Sequence, residues 1–242
     1  MKRMNCTIKR IWVFFIAFII AIALCACANN MSGSQSGQNS ASENTDILLE
    51  FKSFLDGEGF VGGVSQSKFI DEIVPQYSYE GKTIPEIIAG CNWDSENGGG
   101  WFAEDGRFGV SNFYESGVYM NRLYTTLPLH GLSLPFDIRF GDSVKKVINK
   151  MGVEFDPSDF TPDADSKTDI TLISGNGMLV RYGDAGKNNA GDYSAPYWIT
   201  FIEKTTDNQD NGQEKSIERQ IDFWFDDSGL MRFQMAVVER RQ

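Results

Sequence analysis

The chain has 242 residues, with 22 Lys and Arg against 33 Asp and Glu, a formal charge of −11. A surface this acidic excludes the usual nucleic-acid binder, whose affinity rests on neutralising phosphates with Lys and Arg, and it opposes adsorption to anionic headgroups. A single histidine rules out a histidine-rich zinc centre.

Residues 1–10 hold Lys2, Arg3, Lys9 and Arg10 and no acid, and Ile11 to Leu24 follow without a charge. A basic segment, a short apolar run and small residues behind it predict a secretory signal. Read generously to Ala28, the run is borderline for the about 20 apolar residues of a spanning helix. A single-pass anchor is the alternative.

The run closes on Leu24-Cys25-Ala26-Cys27. This resembles the lipobox of bacterial lipoproteins, in which an aliphatic residue at −3 and a small one at −1 precede the modified cysteine. Cys27 fits, with Leu24 and Ala26 in those places; Cys25 does not, because Leu24 would sit at its −1 position. The resemblance implies a diacylglycerol on the Cys27 sulfur and a new N-terminus at its amine. It also implies anchoring to a bacterial cell membrane, facing outside the cytoplasm at the cell surface or in the periplasm. Two or more acyl chains hold a protein stably where one does not. An ordinary signal with incidental cysteines is the alternative. Removing the signal takes away four positive charges and no negative ones, leaving a mature charge of about −15. Cys6, Cys25 and Cys27 belong to the signal region, so Cys91 stands alone in the domain and is expected as a buried structural thiol.

Residues 28–45, "ANNMSGSQSGQNSASENT", are small and polar and predict a flexible tether. Residues 46–242 then read as one domain, or as two subdomains, 46–130 and 131–242. In "TDILLEFKSFLDG", Asp46 caps a helix, Ile47, Leu48, Phe51 and Leu55 make its stripe, and Gly57 ends it. Shorter helices are expected at Lys68–Val74 and at Pro85–Ala89, the latter capped by Thr83. A strand pair is expected within Arg107–Leu127. In "GDSVKKVINKMG", Asp142 caps, Val144, Val147, Ile148 and Met151 fall at i, i+3, i+4 and i+7, and Gly152 closes the helix. Strands follow. "DITLISGNGMLVRY" predicts a hairpin around Asn176-Gly177. Tyr197, Ile199 and Phe201 alternate with Trp198, Thr200 and Ile202. In a last hairpin Ile221, Phe223 and Phe225 share one face, and so do Met231, Phe233, Met235 and Val237. Helices followed by a meander predict an α+β fold, an antiparallel sheet of about four to six strands with helices packed on one face. No repeat shows at solenoid periods.

Phe140, Gly141, Asp142, Ser143, Val147, Met151 and Gly152, followed by about four strands, resemble the lipoprotein domains of the BamE and β-lactamase-inhibitor-protein type. The likeness covers about half of the domain and lacks the cysteine pair of the inhibitor proteins. It implies a scaffold that binds other proteins.

Several motifs point to chemistry without its context. "GEGFVGGV" (Gly57 to Val64) fits a phosphate-binding glycine loop, but a helix rather than a strand precedes it, so it reads as a flexible connector. Asp207, Gln209, Asn211, Gly212 and Glu218 nearly write a calcium loop, yet Glu214 stands where an aliphatic residue belongs and strands flank it. Asp156, Asp159, Asp163, Asp165 and Asp169 read as an acidic surface loop. His130 reads as a turn or edge residue, and Trp93 and Trp101 border a glycine-rich loop. No catalytic residue, metal ligand or cofactor is singled out. Trp224 points away from Phe223 and Phe225, and Trp198 is expected to join it from the neighbouring strand; exposed Trp on a sheet face anchors protein interfaces, and the alternative is that a loop or a second layer covers them. The sequence thus reads as a lipid-anchored, non-enzymatic module that binds the bilayer through Cys27 and another envelope or extracellular protein through Trp198 and Trp224. The alternative is a carbohydrate- or peptide-acting envelope enzyme or a small-ligand receptor.

Overall fold

The computed structural model describes residues 41–89, 93–94, 100–102, 107–115, 117–160, 169–184, 197–208 and 214–241. The signal, Cys27, most of the tether, Cys91, Asp163 and Asp165 lie outside the described residues. Helix α1 spans Ala41–Gly57, and the short helices are α2 (Gln66–Lys68), α3 (Ile84–Ile88) and α4 (Val144–Lys150). Strands β1 (Ser78–Tyr79) and β2 (Lys82–Thr83) form a small ribbon. The main sheet holds β3 (Trp93–Asp94), β4 (Gly100–Phe102), β5 (Phe108–Glu115), β6 (Val118–Thr125), β7 (Asp169–Gly175), β8 (Met178–Asp184), β9 (Tyr197–Asn208), β10 (Glu214–Asp226) and β11 (Gly229–Arg241). Its order is β3-β4-β5-β6-β11-β10-β9-β8-β7, antiparallel throughout. The α+β class holds, but the sheet has nine strands rather than four to six.

The core lies on the face that carries Ile221, Phe223 and Phe225, all fully buried. Phe51 of α1 stacks on Phe201 at 5.0 Å and meets Phe223 at 6.3 Å, and Phe54 meets Phe233 edge-on at 6.0 Å. Ile84 and Ile88 of α3 and Val147 and Ile148 of α4 join the same apolar cluster. An ion network centred on the buried Arg219–Glu203 pair ties α1 down: Arg219 of β10 pairs with Asp56 and with Glu203, and Lys52 reaches Glu203 at 3.3 Å.

Local chemistry explains most of the elements and three departures from expectation. Asn176 (φ 51°) and Gly177 (φ 76°) make the left-handed pair that a tight hairpin requires. Helix α1 begins at Ala41, inside the segment expected to be tether, so Asp46 sits within the helix rather than at its cap. Ser143 caps α4 by accepting from the Lys146 backbone N–H. The adjacent Asp142 accepts from the Arg139 N–H and pairs with Lys146 and Lys150. Burial opposes its ionisation, but the two lysines and that N–H hold its carboxyl at about 2. In β11 the register slips: Phe225 faces Leu230, Trp224 faces Arg232, and Met231 bulges between them. Leu230 is therefore buried and Met231 is 37 % exposed, so Met231 does not share the inner face with Phe233.

Two segments repeat one plan. Gly81 (φ 77°), Thr83, Ile84 and Ile88 recur 60 positions on as Gly141 (φ 84°), Ser143, Val144 and Ile148 (81 to 141, 83 to 143, 84 to 144, 88 to 148). Each segment has a left-handed glycine, a hydroxyl residue at the N-cap and a short helix, and an antiparallel meander follows each. The meanders join last strand to last strand, β6 against β11, with the buried Leu123–Met235 pair at the seam.

The glycine-rich stretch is a strap held on the sheet. Asn112 donates to the Val64 carbonyl, the Asn121 side-chain amide meets the same segment, and the Gly63 N–H donates to Glu239. A Cβ on Gly63 would lie 2.4 Å from the Tyr119 Cβ, which is why glycine is needed there. The Gly63 amide is thus engaged by Glu239 of the sheet.

Candidate functional site

Strand alternation sends the neighbours of the core residues to the opposite, outer face, where cross-strand register stacks them in rows. The first row is Gly183, Trp198, Trp224 and Arg232; the second is Arg181, Thr200, Asp222, Gln234 and Tyr124. The third is Leu179, Ile202, Gln220, Ala236, Arg122 and Ser111. Trp198 and Trp224 therefore sit directly opposite each other, on the face expected of them, and both are half-buried. Tyr124, Ile202 and Ala236 are buried yet stand outside the main apolar cluster. The aromatic face is accordingly more enclosed than an open patch.

Packing fixes the aromatic end. Any Cβ on Gly183 would lie 2.0 Å from two atoms of the Trp198 indole, so the ring rests on bare backbone. The Arg232 guanidinium lies 4.9 Å from the centre of the Trp224 ring and 4.5 Å from that of Tyr124, held by the electron-rich faces of both.

Asp222 occupies the centre and is 3 % exposed. Thr200 Oγ1 donates to its Oδ1 at 2.7 Å, Gln220 Nε2 donates to both oxygens at 2.7 and 2.8 Å, and Gln234 Nε2 donates to Oδ2 at 3.1 Å. Burial nevertheless pushes the carboxyl up to about 6, against the pull of these neutral donors and of Arg232. Arg122, 6 % exposed, donates to Ser111 Oγ at 3.0 Å, and burial lowers its guanidinium to about 10.

The residues of the motifs set aside in the sequence are placed as follows. His130 is exposed, and its backbone makes an isolated bridge to Ser78, a turn role. Asp207 and Glu218 lie in β9 and β10, paired with Lys215 and Lys204, and Gln209, Asn211 and Gly212 lie outside the described residues. Lys204 pairs with Glu218 at 3.0 Å. Asp156 pairs with Lys145 and Asp169 with Arg181, each an ordinary ion pair. Trp93 and Trp101 are paired positions across β3 and β4, and the glycine-rich segment between them lies outside the described residues. Among the described residues no group of three or more His, Cys, Asp or Glu is placed to hold a metal ion, and no helix is long and apolar enough to cross a membrane.

Sequence reasoning singled out the two tryptophans but not Asp222, Arg122, Arg232 or Tyr124. The parity signal was present, since Gln220, Asp222 and Trp224 alternate with core residues, but polar residues at such positions ordinarily face water. A second aromatic group, Tyr114 stacked on Tyr119 at 4.2 Å with Arg241 over Tyr119, lies at the far end of the inner face. No protein-family model matches the chain, and no curated protein or solved structure matches it.

Proposed function

We propose that the chain is a bacterial envelope lipoprotein, held in the membrane by diacylglyceryl-Cys27 and facing outside the cytoplasm. Its domain is a non-enzymatic module that binds another envelope or extracellular protein through the outer face of the sheet. The observation that carries this reading is the cluster of Trp198, Trp224, Arg232 and Tyr124 from four adjacent strands, away from the helical core. Trp, Tyr and Arg are the residues that dominate interface energetics. The two tryptophans are half-buried, which leaves each a surface to offer while its ring is held rigid. The helices lie against the other face, so a partner meets the sheet without disturbing the core. The short likeness of Phe140 to Gly152 to BamE and inhibitor-protein domains supports the same reading.

The test is capture from the native membrane with the full chain. A protein retained by the wild type and lost with Trp198→Ala and Trp224→Ala, but kept with Tyr114→Ala, supports the outer face. Equal retention by all variants overturns it. A second reading, an enzyme or small-ligand receptor for carbohydrate or peptide, draws on Asp222, because carboxyls displaced toward neutrality cluster at functional sites. That reading requires a saccharide or peptide that raises the melting temperature of the wild type and not of Asp222→Asn.

A further inference from the structure

We propose that Asp222 is a proton-operated switch of the outer face: uptake of one proton there rearranges its hydrogen bonds and loosens Arg232 from its seat between Tyr124 and Trp224. The inference rests on the reading of this face as the binding site and supplies its regulation.

The geometry carries the argument. Every described hydrogen bond to Asp222 comes from a neutral donor, namely Thr200 Oγ1, Gln220 Nε2 and Gln234 Nε2. Such a shell suits an ionised carboxylate, which only accepts. Adding a proton turns one oxygen into a donor, and it then faces groups that also donate. The conflict resolves only if the Thr200 hydroxyl rotates or a glutamine turns over its amide to present oxygen. Gln234 lies in the row that adjoins the aromatic one, next to Arg232 on β11, so its rearrangement reaches Arg232 and Trp224.

The charges around Asp222 set the second consequence. Arg232 comes from β11, and Arg122 and Tyr124 come from β6. From β8, Arg181 is already held by Asp169 of β7. Glu218 on the same strand is paired with Lys204 of β9. The Asp222 carboxylate acts electrostatically on both Arg232 and Arg122. Its protonation removes the attraction that draws Arg232 inward and adds one unit of positive charge to the face. Burial places the transition near pH 6, in the range a mildly acidic surface reaches.

The experiment is a tryptophan-fluorescence titration of the purified full chain between pH 4.5 and 8, without any partner. The result expected is a reversible emission change with a midpoint near pH 6, absent in Asp222→Asn and smaller in Trp224→Phe. His130 is the one histidine, so His130→Gln is the control and must keep the transition. A flat profile in the wild type, or a transition that survives in Asp222→Asn or vanishes in His130→Gln, overturns the proposal. Should Asp222→Asn fail to fold, the wild type and His130→Gln decide between the two groups. The titration needs no partner, so a failed capture experiment and a failed switch give separate results.

Discussion

Replacing Asp222 by Asn should stabilise the protein at neutral pH, although it alters a fully hydrogen-bonded side chain. The carboxyl rises from 3.8 to about 6 on folding. At 1.36 kcal/mol per unit of pKa, that difference makes the ionised form cost about 3 kcal/mol. Because the folded value lies above the unfolded one, the contribution of Asp222 to stability is full below about pH 4 and is lost as pH rises through about 6. Asparagine removes the charge but brings two N–H donors toward Gln220 and Gln234, and it forgoes the attraction of Arg232, so about 1–2 kcal/mol of net gain is expected. Urea melts of wild type and variant at pH 7.5 and at pH 4.5 measure it. The variant should be the more stable at pH 7.5, and the gap should shrink at pH 4.5. A variant less stable by more than about 1 kcal/mol at pH 7.5 would refute the reasoning, since the carboxylate would then be a net stabiliser.

Phe223→Ala removes a fully buried ring that lies against Phe51 and Phe233, and it should cost about 3–5 kcal/mol in the same melts. Trp224→Ala loses a half-buried ring and its cation–π contact, and about 1–2 kcal/mol is expected, so the fold should survive. Gly183→Val drives a side chain into the Trp198 indole, and a changed tryptophan emission with a lowered melting temperature should report it. Mass spectrometry of the mature N-terminus should find diacylglyceryl-Cys27; an intact signal, or an unmodified terminus elsewhere, would contradict the anchor.

The elements that were legible are those governed by near neighbours in the chain. Asn176-Gly177 announces its hairpin because few other residue pairs accept two consecutive positive φ angles. The stripe of Ile47, Leu48, Phe51 and Leu55 and the alternation of Ile221, Phe223 and Phe225 likewise predicted the buried faces that are observed. What was hidden depends on long-range pairing. The seam of β6 on β11 joins residues more than 100 positions apart, as Leu123 and Met235 illustrate, and no local pattern encodes it. Strands β3 and β4 have two and three residues, too few to show a period. The repeat of Gly81–Ile88 in Gly141–Ile148 escapes notice because Pro85 and Glu86 give way to Lys145 and Lys146 on the helix surface. The bulge at Met231 reverses an alternation that would otherwise have placed it in the core. At the outer face, the parity of Trp198 and Trp224 was legible, while the burial of Asp222 and Arg122 was not, because their neighbours come from strands far apart in the chain.

The claim that the outer face is the binding surface is tested most directly by photo-cross-linking in the native membrane. A benzophenone amino acid placed at Trp198 should give a cross-linked adduct with a second protein, and the same probe at Tyr114, at the far end of the inner face, should not. Adducts from Tyr114 alone, or from neither position, would contradict the account.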